Sequence, residues 1–98
     1  MASMATVEDA IEMLRDRRNL KEVGDGSSEV LSVRSGQVVR LLRQRGAETE
    51  QDALALIRKA TRALGGDEVI VHRPSALHDG EFGIGPKRMM PAFWIPVD

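Results

Sequence analysis

The residues with the most specific chemistry in this chain are two histidines and their acidic neighbours. His72, His78, Asp79 and Glu81 lie close together in sequence. Two imidazoles and a carboxylate can hold zinc if a strand end and a turn bring them to one point. Their spacing matches no metal-ligand motif, and nothing resembles H-x-x-x-H on a helix. A histidine at a strand end and an Asp79-Gly80 turn account for the pattern, so no metal site is expected. The stretch Gly80-Glu81-Phe82-Gly83-Ile84-Gly85-Pro86-Lys87 has the glycine density of a phosphate-binding loop. It lacks the Gly-Lys-Ser/Thr ending, and Pro86 removes a backbone donor where one is needed. Ser75 and His78 would need a third group to orient the base before they could act as a nucleophilic pair. With no cysteine in the chain there is no disulfide framework and no thiolate metal ligand. The expectation is a protein that is not an enzyme and holds no cofactor.

The cations form the next constellation. The chain has 98 residues, 14 basic and 15 acidic, with a net charge of -1. That balance conceals an asymmetry. Residues 31–62 hold seven basic side chains (Arg34, Arg40, Arg43, Arg45, Arg58, Lys59 and Arg62) against three acidic ones, while both flanks are net acidic. The middle third is therefore a candidate surface for nucleic acid, or simply a solvated helix face. With 42% hydrophobic and 30% charged residues the chain should fold as one domain, residues 1–98, around a single small core. No apolar run approaches the ~18 residues of a membrane span. Met1 to Ala10 lacks a basic region followed by an apolar stretch, so no secretory signal is read and a cytoplasmic location is expected.

Several elements must position these groups. Residues 1–5 are expected to be disordered. Thr6 with Asp9 resembles a capping box, and Val7, Ala10, Ile11 and Leu14 form one apolar stripe, which predicts a helix from about Thr6 to Arg18. Asn19 to Ser28 reads as a loop and Glu29 to Val33 as a short strand. Segment 37–45 has two readings. As a helix it would be capped by Ser35 and end at Gly46, with Val38, Leu41 and Leu42 on one face. As a strand it would pair back on 29–34 through Ser35-Gly36. A helix over Thr49–Leu64 follows, with Thr49 as cap, Ala53, Leu54, Ile57, Ala60, Thr61 and Leu64 as its buried stripe, and Gly65-Gly66 as its stop. Val69-Ile70-Val71 predicts a buried strand within Asp67–His72. Leu54, Ile57, Leu64, Val69 and Val71 are the expected core. Residues 73–91 form a long loop in which Glu81–Ile84 could be a short strand. Residues 92–98 form a C-terminal extended segment that Pro91 and Pro96 should confine to a sheet edge or an ordered tail.

The fold class is α+β, with two or three helices packed on a small antiparallel sheet. The order helix, short strand, helix, helix, strand, long loop, strand resembles that of a winged helix-turn-helix. Gly46-Ala47 would be the turn, Thr49–Leu64 the recognition helix and residues 73–91 the wing. Thr49-x-x-Asp52-Ala53, Ala60, Leu64-Gly65-Gly66 and Val69-Ile70-Val71-His72 with the glycine-bearing loop after it also resemble an uncharacterised family of short bacterial and phage domains built strand, strand, helix, strand. That likeness covers roughly residues 29–84 and implies the strand reading of 37–45. The N-terminal helix and the Phe93-Trp94 tail depart from it, and it implies no activity. Function is expected to be a small DNA-binding regulator that touches duplex DNA through Arg40, Arg43, Arg58, Lys59 and Arg62, with Lys87 and Arg88 on the wing. Glu50 and Asp52 stand against this, because phosphates repel them. The alternative is a protein-interaction or accessory protein of phage or mobile-element type, using Phe93, Trp94 and Ile95 to dock a protein partner or to form a homodimer. The same three residues could instead close the small core.

Overall fold

The structure, a computed structural model, describes residues 4–22, 30–74 and 87–97, with the backbone alone at 72–74 and 87–89. Its elements run α1 (Val7–Leu14), β1 (Leu20–Glu22), β2 (Val30–Val33), α2 (Ser35–Gln44), α3 (Glu50–Ala63), β3 (Asp67–Pro74) and β4 (Lys87–Pro96). A single 3-10 turn, Arg17–Asn19, leads from α1 into β1. The three helices pack on an antiparallel sheet of order β1-β2-β4-β3. This is an α+β fold. No helix among the described residues is long and apolar enough to cross a membrane.

The helix starts follow from their caps. Thr6 Oγ1 accepts from the Asp9 N–H, and the Asp9 carboxylate accepts from the Thr6 N–H at 2.9 Å, a reciprocal capping box. Thr49 Oγ1 accepts from the Asp52 N–H at 3.0 Å at the start of α3. Segment 37–45 is helical, which corrects the strand alternative and the two-helix architecture that goes with it. The adjacent pairs Val38-Val39 and Leu41-Leu42 would put apolar groups on both faces of a strand. In a helix Val38, Val39 and Leu42 share one buried face. Its cap position is Arg34 rather than Ser35. Ser35 begins the helix, and its hydroxyl donates back to the Val33 carbonyl at 3.5 Å.

Both later helices stop in the same way. After α2 the Ala47 N–H donates to Leu42 O and the Gly46 N–H to Arg43 O, with Gly46 at φ 118°. After α3 the Gly66 N–H donates to Thr61 O and the Gly65 N–H to Arg62 O, with Gly65 at φ 81°. Each is a Schellman turn with glycine in the left-handed position. Gly66 has a second constraint, since a Cβ there would lie 2.1 Å from the Trp94 carbonyl oxygen. The chain passes from α3 into β3 in direct backbone contact with β4.

The core gathers Ala10, Met13 and Leu14 of α1, Leu31 and Val33 of β2, Val38, Val39 and Leu42 of α2, Ala53, Ile57 and Ala60 of α3, and Phe93 and Ile95 of β4. Phe93 is its largest fully buried side chain. Two sequence expectations about this core are corrected. Val69 and Ile70 are 38% and 53% exposed, and Val71 is only partly buried. Their strand is the outer one, and by alternation Val69 and Val71 lie on the sheet face away from the helices, where no described element covers them. Leu54 and Leu64 pack against the core while remaining partly exposed. Segment 19–28, read as a loop, contains β1, which pairs Leu20 with Val33 and Glu22 with Leu31.

The prolines also sit differently from expectation. β4 is an inner strand, bonded to β2 through Val30↔Pro96, Leu31↔Ile95 and Ser32↔Trp94 and to β3 from Asp67↔Trp94 to Pro74↔Lys87. Pro91 lies beyond the end of β2, and Pro96 lies beyond the end of β3. Each proline therefore has a neighbouring strand on one side only, and its missing N–H can face the open side.

Three stability outcomes follow. Ile57→Ala should cost ~2–5 kcal/mol in a urea titration as a fully buried large-to-small change. Val69→Ala should cost less than about 1 kcal/mol, despite its place in an apolar run. Gly66→Ala should cost roughly 1–3 kcal/mol or more, because the backbone of residues 94 and 95 must move to admit the methyl group.

Candidate nucleic-acid interface

Helices α2 and α3 follow one another through Arg45 to Thr49 and pack together. Their buried side is the core already described. Their outer side carries Arg43 on α2 and Gln51, Lys59 and Arg62 on α3, all exposed. Beside α3 the strands β3 and β4 run out toward residues 75–86. The expected short strand at 81–84 lies outside the described residues, as do His78, Asp79, Glu81, the glycine-bearing loop and Gly24–Ser28. Among the described residues no group of three or more His, Cys, Asp or Glu could hold a metal ion.

The structure separates the expected cations into groups. Arg58 is engaged with Glu68 of β3, donating from Nε at 2.7 Å and from Nη2 at 3.1 Å. The hydrogen bond from Arg58 holds the Glu68 carboxyl below its ordinary range, and the charges of Arg58 and Arg62 add to the effect. Arg58 and Arg62, one helical turn apart, therefore flank the same carboxylate. Arg58 is spent on the fold, while Arg62 and Lys59 remain exposed. Arg43 donates weakly to the Glu48 carbonyl at 3.4 Å across the turn. Arg40 belongs to another surface, a groove of about 500 Å³ between the start of α2 and the sheet. Lys21 and Arg34 line the same groove, and among the described residues no acidic side chain does. Arg34 also donates to Leu20 O at 3.2 Å.

Sequence reasoning passed over Lys21 and counted Arg34 only in the charge excess of residues 31–62. The cue was weak, because β1 is only three residues long and its pairing with β2 spans an unpatterned segment. It also passed over Arg73. The β3–β4 register puts Arg73 opposite Arg88 and Pro74 opposite Lys87, so three basic residues share the base of the hairpin.

Acidic groups occupy the other end of the interface. Glu48, Glu50 and Asp52 are exposed around the start of α3. They suit the positive end of the helix dipole and oppose phosphate there. Next to them a cavity of about 310 Å³ has an apolar lining from Met4, Ala5, Ala47 and Leu56, with Glu48 and Asp52 also among its lining residues.

Of the C-terminal residues considered for a partner, Phe93 is fully buried and Ile95 is 6% exposed. Both face the helices and close the core. Trp94, on the opposite face of the sheet by strand alternation, keeps part of its surface exposed.

No protein-family model, no curated protein and no solved structure matches this chain.

The Arg58–Glu68 pair has a pH signature. A carboxyl whose folded pKa lies below its ordinary 4.5 stabilises the fold above that value, and the contribution disappears as pH falls through the lowered one. The pair is partly exposed, so it should contribute at most about 1 kcal/mol at neutral pH. Glu68→Gln should lower the urea midpoint at pH 7 and leave a smaller gap from wild type at pH 3. An equal gap at both pH values would show that the charge contributes nothing.

Proposed function

We propose that this domain is a non-enzymatic DNA-binding module that acts as a regulator in the cytoplasm. The observation that carries the reading is the strand order β2-β4-β3 beside the α2–α3 helix-turn-helix. It sets a two-stranded projection next to the last helix, the arrangement a winged helix-turn-helix uses to place a helix in a groove and a wing on the adjoining backbone. Lys59 and Arg62 supply exposed charge on α3, Arg43 supplies it on α2, and the β3–β4 register brings the basic residues 73, 87 and 88 together at the base of the wing. Contact runs through the C-terminal half of α3 and the wing base, because Glu48, Glu50 and Asp52 keep phosphates from the helix start. Affinity is accordingly modest and strongly salt-dependent.

The test is a salt series of binding to random duplex DNA by fluorescence anisotropy. Each phosphate contact should steepen the log–log salt dependence by ~0.9. Lys59→Glu with Arg62→Glu should weaken binding to every sequence and flatten that slope. Neither change touches a buried group. Absence of binding at low salt, where phosphate attraction is greatest, would remove the DNA reading. The cavity beside α3, lined by apolar residues together with Glu48 and Asp52, supports a second reading in that case, a protein partner offering a basic, apolar segment.

A further inference from the structure

β3 is the outermost strand of the sheet, on the side away from β1. The direction of its backbone groups can be read from a proline. Ile70 lies opposite Pro91, which has no N–H, so Ile70↔Pro91 is a non-hydrogen-bonded pair of the antiparallel ladder. The N–H and C=O of Ile70 must then point away from β4, toward the open edge, as must those of Glu68 and His72. The Glu68 N–H agrees, since it donates to the Asp67 carboxylate at 3.0 Å instead of across the ladder. Among the described residues no backbone bond from this edge reaches another element. Ile70 itself is 53% exposed.

Sheet edges of this kind are usually blunted. The opposite edge, β1, is three residues long and carries Lys21 and Glu22. β3 has eight residues with Val69-Ile70-Val71 unbroken at its middle, and only Pro74 at its end removes an outward donor.

We infer that the open edge of β3 pairs antiparallel with the same edge of a second copy of this chain, with Ile70 opposite Ile70 at the two-fold axis. A two-fold pair must match outward-pointing residues with outward-pointing residues, so its axis falls on a residue, and the registers whose axis falls within the apolar run are centred on residue 69, 70 or 71. Centred on 69, Glu68 falls opposite Ile70 and Asp67 opposite Val71, and both acids meet apolar residues. Centred on 71, Glu68 falls opposite Pro74, which has no donor, and Val69 opposite Arg73. Centred on 70, Glu68 meets His72, Asp67 meets Arg73 and Val69 meets Val71. Only this register opposes acid to base and apolar to apolar along its whole length. The result is a continuous sheet β1-β2-β4-β3-β3-β4-β2-β1 across two protomers. A single strand pair buries less than the roughly 1,200 Å² of a standard stable interface, so the dimer is weak and concentration-dependent.

Sedimentation equilibrium of the full chain, without DNA, from low-micromolar to near-millimolar concentration tests this. Wild type should move from one chain toward two. Ile70→Pro removes the outward donor at the axis and no bond to β4, and should stay monomeric throughout. Ile70→Lys should do the same while keeping the wild-type circular dichroism, which covers the case of a proline variant that fails to fold. The chain has no cysteine, so Ile70→Cys should form a disulfide-linked dimer on mild oxidation, whereas Gln51→Cys on α3 should not. Wild type that stays monomeric near millimolar concentration, a dimer that survives Ile70→Lys, or equal cross-linking at residues 70 and 51 would overturn the inference.

Discussion

Strand β4 is the constraint on which the rest of the structure depends. It comes last in the chain and sits inside the sheet, so the fold cannot close until the C-terminal segment has inserted between β2 and β3. Its alternation does the work of layering. Phe93 and Ile95 point into the helices and anchor the core, while Trp94 stays on the far face. Its prolines then limit how far each neighbour can extend. Pro96 ends the ladder where β3 has already stopped, and Pro91 lies where β2 has ended. The same missing N–H at Pro91 fixes the phase of the β3 ladder and decides which residues of β3 face outward. One imino acid thus links the interior of the sheet to the chemistry of its edge.

The N-terminal half is tied to this sheet by a buried asparagine. Asn19 is 4% exposed, and its Nδ2 donates to Met13 O at 2.8 Å while its Oδ1 accepts from Gln37 Nε2 at 2.7 Å. Its carbonyl accepts from the Arg34 N–H at 2.8 Å. One side chain and one peptide group therefore join the end of α1, the 3-10 turn, the exit of β2 and the first turn of α2. A buried amide satisfied in this way specifies one geometry, since any shift of α2 would leave a polar group unpaired in the core. No buried side-chain nitrogen or oxygen among the described residues lacks a partner.

The features legible in the sequence are those whose cause is local. Thr6 with Asp9, Thr49 with Asp52, and the glycines after α2 and α3 act within a turn of their own position, and their effect could be read directly. The helical face of 37–45 was legible too, once adjacent apolar pairs were weighed against strand alternation. What could not be read depends on distant partners. Val69-Ile70-Val71 has the composition of a buried strand, yet burial is decided by which layer covers it, and here none does. Pro91 and Pro96 suggest an edge until the neighbours are known to be short. β1 is too brief to show a period and exists because β2 offers it a partner. At the interface the cations were visible as a charge excess over residues 31–62. The sequence carried no sign that Arg58 would be claimed by Glu68, or that Arg40 would join Lys21 and Arg34 on a separate groove.

The distribution of charge carries the last step of the argument. Three of the described cations are committed to ion pairs within the fold: Arg18 with Asp16, Arg45 with Asp9 and Arg58 with Glu68. Arg45 ties the end of α2 to the first turn of α1 and Arg58 ties the middle of α3 to the start of β3, while the Arg18 pair is local to the 3-10 turn. The remaining exposed cations of α2 and α3 are therefore not needed to hold the helices together. α3 itself is polarised, with Glu50 and Asp52 at its first turn and Lys59 and Arg62 toward its end. That order satisfies the helix dipole at both termini, so the fold gains from it whatever the surface binds. On the proposed DNA-binding reading it also sets a direction: a helix acidic at its start and basic at its end would meet a polyanion with its C-terminal half rather than its first turn. The same four side chains would then serve both local stability and direction of approach.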